Sequence, residues 1–172
     1  MTEKSSSLIS FVKEKNMLWE KCKEIESDIV EMRRELHQIP ELGFHLPKTR
    51  AYVIRKLEEI GVPYILSEKD SSIVATMKCA RPGKTLAFRA DMDALPIQEE
   101  TGLSFTSLHN SCMHACGHDV HNASLLGAAI ILANNREKFA GTVKLIFQPG
   151  EEIGAGAQAM IANGEVKGVE RI

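Results

Sequence analysis

From Met17 to Gln38, apolar residues recur at three- and four-residue steps: Leu18, Cys22, Ile25, Ile29, Met32 and Leu36. That spacing makes one stripe along an amphipathic helix, which Pro40 and Gly43 end. Pro47 is suited to the first turn of a second helix. Val53, Leu57 and Ile60 form its apolar stripe, and Gly61 is its stop. Strand-like runs follow at Pro63–Leu66, Ser72–Met77 and Thr85–Ala90, with Arg81-Pro82-Gly83-Lys84 reading as the turn before the third. The Ala- and Leu-rich segment Asp119–Asn134 predicts a buried helix. The alternating, β-branched run Gly141–Gln148 predicts a strand, and Gly156–Asn163 a short helix. Gly168–Ile172 reads as the opening of a further strand. Helices alternating with strands predict an α/β layered domain over residues 17–172. Residues 1–16 read as a poorly ordered or helical N-terminal extension.

Composition narrows the class. The chain has 172 residues, 44% hydrophobic and 26% charged, with a formal net charge of −2. No broad positive field favours nucleic acid or an anionic membrane surface. The longest apolar stretch, Leu125–Ala133, falls well short of the ~20 residues of a membrane span. The polar N-terminus lacks the apolar core of a secretory signal, so a cytoplasmic location is expected. Cys22, Cys79, Cys112 and Cys116 are too sparse and irregular for a disulfide scaffold.

The candidate chemistry concentrates in Met113–His121, where His114, His118 and His121 stand beside Cys116 and Asp119. Such side chains bind divalent zinc, manganese, cobalt or nickel. Cys116 and His118 flank Gly117, whose freedom permits a sharp turn that aims a thiolate and an imidazole at one ion. The same residues also fit a buried thiol beside a helix-capping polar cluster, with Asp119 as the cap. Asp91 and Asp93 follow an apolar strand, and period-two alternation places them on one face at its C-terminal end. There they would bind metal or orient ligating histidines. Glu151 and Glu152 follow the next strand, where one would hold metal and the other move protons.

These residues sit in longer motifs: Arg33-Arg34-x-Leu36-His37-x-x-Pro40-Glu41-Leu42-x-Phe44, Arg89–Pro96, Met113–Asp119 and Leu145–Glu152. Together they resemble the M20 metallopeptidase family, in the branch of amidohydrolases that cleave N-acyl amino acids, hippurate and auxin conjugates. The resemblance implies a mixed β-sheet flanked by helices and two divalent metal ions in a complete site. It implies Cys116, His118 and Glu152 as metal ligands, Glu151 as general base and Asp93 as the acid supporting the site. It also implies a small-molecule N-acyl amino acid as substrate, hydrolysed through a metal-activated water. Members carry a lid and dimerisation domain and two further histidine ligands downstream, so the resemblance covers an N-terminal portion and the fold is expected to be incomplete. A second reading is therefore a catalytically inactive truncated fragment that at most binds metal weakly. A third is a thiol redox module on Cys112 and Cys116, whose spacing is not Cys-x-x-Cys.

Overall fold

The computed structural model describes residues 18–172; the expected extension over 1–16 lies outside them. Residues 18–24 are helical, and the backbone breaks at Ile25 before α1, Glu26–His37. The single predicted helix is thus two pieces sharing one stripe. Helix α2, Pro47–Ile60, starts at its proline and stops at Gly61, which is left-handed with φ 77°. Its first turn is capped from outside: the Glu41 carboxylate accepts the backbone N–H groups of Lys48 and Thr49 and the Thr49 hydroxyl.

Four strands follow: β1 Tyr64–Leu66, β2 Ile73–Lys78, β3 Arg81–Asp91 and β4 Ala140–Gln148. Helix α3, His118–Ala133, lies between β3 and β4, and α4, Gly156–Ala162, follows β4. The sheet order is β1-β2-β4-β3, with β1/β2 and β2/β4 antiparallel and β3/β4 parallel. This is a mixed sheet, as expected. Residues 81–84, read as a turn, belong to β3 instead. Arg81 pairs with Ala140 and the register slips before Thr85 pairs with Thr142. The slip has a steric cause, because the two backbones meet at Gly83 and Gly141 too closely for side chains. Beyond β3, Arg171 makes a parallel bridge to Leu86, so the predicted terminal strand is present as a single bridge.

The core lies between the sheet and the first three helices. Met32 and Leu36 of α1, Val53 and Leu57 of α2, and Leu126 and Ala129 of α3 pack on Ile73, Ala75, Leu145 and Phe147. Alternation along the strands sends Val74, Ala87 and Ile146 to the opposite face, where Met160 of α4 covers them. Helix α3 crosses from β3 to β4 over the first face. That crossover brings its N-terminus to the carboxyl ends of the two parallel strands, where α/β sheets gather their chemistry.

Candidate metal centre

Three loops meet at that end of the sheet. The first continues β3: Met92 still donates its N–H to Gln148 O at 2.7 Å, and Asp93 lies just beyond, fully buried. The second is the excursion after Ala94. Leu95 and Met113 exchange two backbone bonds of 3.0 Å, which close it and return the chain to Asp93 three residues before Cys116. Gly117 then takes φ 99° as N-cap of α3, the sharp turn expected of it. The third is the turn Gln148–Gly156. Gly156 N–H is bonded to Gly150 O, and a Cβ on Gly156 would lie 2.0 Å from Pro149 O.

His118 is the centre of the group. Its Nδ1 donates to the carbonyl of Asp93 at 2.7 Å, which leaves Nε2 as the free donor atom. Nε2 is 3.6 Å from Glu151 Oε2 and 3.8 Å from Glu152 Oε1. One ligand atom from each of Cys116, His118 and Glu152 can lie within 4.8 Å of the others. Glu152 Oε1 is buried and has no hydrogen-bond partner among the described residues. A sulfur, a nitrogen and an oxygen converging with an orphaned carboxylate oxygen fit a divalent cation such as zinc.

Asp93 holds this arrangement. Its Oδ1 accepts the N–H of Glu151 at 3.0 Å and its Oδ2 the N–H of Glu152 at 3.1 Å. Burial would raise its carboxyl, but the bonds from His118 and from these two amides outweigh that and hold it below the usual carboxylate range. Burial likewise opposes charge on His118, but the carboxylate and carbonyl of Asp93 prevail and raise it to about 8. Partial desolvation, then the carboxylates of Glu152, Glu151 and Asp91, push the Cys116 thiol above its ordinary value. A cation placed in this negative environment would favour the thiolate that the carboxylates disfavour.

Asp91 and Asp93 both approach His118: Asp93 Oδ1 lies 3.7 Å from its Nδ1, and a ligand atom of Asp91 lies within 4.8 Å of one of His118. Strand β3 ends at Asp91, but the Met92 amide still bonds Gln148 O and carries the chain on to Asp93. Asp91 is bonded to Arg89 through one oxygen and lies 3.5 Å from His121 Nδ1 through the other. Asp91, His118 and His121 form a second group with ligand atoms inside 4.8 Å, and the two imidazoles, three residues apart on α3, are 5.3 Å apart. His114 belongs to neither group. It is buried, its ring nitrogens have no partner among the described residues, and burial lowers its pKa to about 4. Asp119 is not a simple cap. Its Oδ1 accepts the Val120 N–H, but its Oδ2 faces α1, where His37 Nδ1 donates at 2.7 Å and Arg33 Nε forms an ion pair at 2.9 Å. The four cysteines are free, with Cys112 buried and Cys116 exposed.

A parallel β3–α3–β4 unit thus gathers thiol, imidazole and carboxylates at its strand ends. Residues 87–172 match Peptidase family M20/M25/M40, and the chain belongs to that family. It is 41% identical over 148 residues to an N-acetyl-L-cysteine deacetylase of Bacillus subtilis, covering 86% of this chain and 36% of the relative. It is 40% identical over 148 residues to an N-acyl-L-amino acid amidohydrolase of Geobacillus stearothermophilus, covering 86% and 40%. Among solved structures, the Bacillus subtilis YXEP protein, a dinuclear metal binding peptidase of the M20 family, superposes with a TM-score of 0.81. It shares 43% identity, over 86% of this chain and 42% of that one. The chain thus spans 36% and 40% of the length of these two curated relatives.

Proposed function

We propose that this chain carries a metal-binding and proton-transfer portion of an amidohydrolase that cleaves the amide bond of N-acyl amino acids. The convergence of Cys116, His118 and Glu152, with Glu151 3.6 Å from His118 Nε2, carries the reading. The N-acyl substrates of the relatives support the substrate class.

Cys116, His118 and Glu152 would hold a divalent cation, with zinc favoured by the thiolate and manganese, cobalt or nickel also compatible. A complete site would hold two, in keeping with the dinuclear relative. Bound there, such a cation supplies Lewis acidity toward the amide carbonyl and toward water. Glu151 is the general base. Its carboxylate is 42% exposed, whereas Glu152 is 17% exposed, so Glu151 is the one open to substrate and solvent. It removes a proton from the attacking water and returns it to the departing amine nitrogen, so that a neutral amine and a carboxylic acid leave, the acid then giving its proton to solvent. Asp93 fixes the turn bearing both glutamates, and its carbonyl sets the tautomer of His118.

The test is hydrolysis of acetyl-amino acids and hippurate with added zinc or manganese, alongside cation binding. Glu151→Gln should remove turnover and retain binding, whereas Cys116→Ala should remove binding. Turnover undiminished in Glu151→Gln overturns the assignment. The share of the relatives' length covered favours a second reading, in which the 172-residue chain alone binds the cation without turnover. Binding without hydrolysis in the same assays would select it.

A further inference from the structure

Helix α3 is anchored at its first turn by two separate sets of bonds. From the sheet side, Asn122 Nδ2 donates to Asp91 O at 2.6 Å and to His118 O at 2.8 Å. From the other side, Asp119 is fully buried and faces α1. Its Oδ2 accepts His37 Nδ1 at 2.7 Å and forms an ion pair with Arg33 Nε at 2.9 Å. His37 is itself buried, and its Nε2 lies 3.2 Å from Glu99 Oε1 in the excursion between Leu95 and Met113. Glu99 Oε2 accepts the Ser107 N–H at 2.6 Å. Phe105 packs edge-on against the His37 ring, 5.9 Å between centroids, and the Arg33 guanidinium lies 5.2 Å from the Phe105 ring. A buried histidine and a half-buried arginine of α1 therefore converge on one carboxylate oxygen, one residue from the candidate ligand His118.

We infer that His37 and Arg33 are positioning residues. By clamping Asp119 they fix the first turn of α3, and through it the direction in which His118 presents Nε2. The inference rests on the proposed cation site and extends it to a helix that contributes no ligand. The alternative is that His37 only fills space between α1 and the excursion. The two differ in which ring nitrogen matters. The clamp runs through Nδ1 to Asp119, whereas tethering of the excursion runs through Nε2 to Glu99.

Side-chain amides separate these. Asn places a donor near the position of Nδ1, and Gln near that of Nε2. Cobalt(II) binding, followed by its thiolate charge-transfer band, is measured for the unsubstituted chain, Cys116→Ala, His37→Asn, His37→Gln and His37→Ala. Backbone amide exchange over residues 118–122 is measured in the cation-free proteins. The clamp requires His37→Gln and His37→Ala to bind cobalt about tenfold or more weakly and to exchange faster at the first turn of α3. His37→Asn should stay close to the unsubstituted chain in both. Equal affinity and equal protection in His37→Gln, or a His37→Asn as impaired as His37→Gln, overturns the clamp. If the unsubstituted chain gives no thiolate band, or Cys116→Ala binds equally well, the cation-site reading fails instead. The exchange data then decide by themselves whether the clamp orders α3.

Discussion

Asp93 and Glu151 are joined by a hydrogen bond of 3.0 Å, from the Glu151 amide to Asp93 Oδ1, between loops 58 positions apart. The other Asp93 oxygen takes the amide of Glu152. One buried carboxylate thereby sets the position of both glutamates. Asp93→Asn keeps the shape but turns an NH2 group toward one of the two amides. An unsatisfied buried donor costs on the order of 1–3 kcal/mol, so the denaturant midpoint should fall accordingly. Loss of such support typically weakens a metal site about 10- to 100-fold. Chemical denaturation and cation titration of the variant check both.

Cation binding should register as stability. A ligand at 100 times its dissociation constant, binding the folded chain only, adds about 2.7 kcal/mol. Thermal melts with zinc or manganese should show that gain in the unsubstituted chain. A chelator should reverse it, and Cys116→Ala and His118→Ala should lack it.

Gly156 has no room for a side chain, since a Cβ would meet Pro149 O at 2.0 Å and Gln148 Nε2 at 2.8 Å. Backbone cannot yield as a flexible side chain does. Gly156→Ala should therefore cost roughly 3 kcal/mol, the upper end of ordinary overpacking, and displace the turn holding Glu151 and Glu152. Urea unfolding measures the first effect and cation affinity the second.

Acid should loosen the excursion between Leu95 and Met113. Burial opposes charge on Glu99, but the Thr101 hydroxyl, the Ser107 amide and His37 outweigh it and hold its carboxyl below the ordinary value of 4.5. A carboxylate whose folded value is depressed binds fewer protons folded than unfolded. Its contribution is complete above about pH 4.5 and disappears as pH falls through the lower, folded value. The stability difference between the unsubstituted chain and Glu99→Gln should accordingly be constant near neutrality and shrink below that pH. Denaturant melts of both proteins from pH 7 to pH 3 follow it.

Much of this was legible locally. Pro47 and Gly61 bound α2 because each restricts its own backbone or frees it. The alternation in Gly141–Gln148 marks β4 because each face of that strand is covered. Cys116, His118, Glu151 and Glu152 stand together in space, as their residue types and strand-end placement implied. Period-two reasoning placed Asp91 and Asp93 together, and both approach His118. What failed was turn chemistry read without the neighbouring strand: residues 81–84 were assigned to a loop, although β3 runs through them and Arg81 pairs with Ala140 of β4. The His37–Asp119 bond spans 82 positions, and no spacing in the sequence announces it. Its only trace was the Arg33–Phe44 motif. Arg33 and His37 of that motif brace α3, Glu41 caps α2, and the Glu41 carbonyl receives the Ala94 amide at 2.8 Å.

The donor atoms come from two stretches of chain separated by all of α3 and β4, and Asp93 is where those stretches are tied together. A half-assembled chain, with β4 not yet seated beside β3, presents Cys116 and His118 without Glu152. It would offer a cation two contacts instead of three. A bound ion would therefore favour the finished sheet over its precursors.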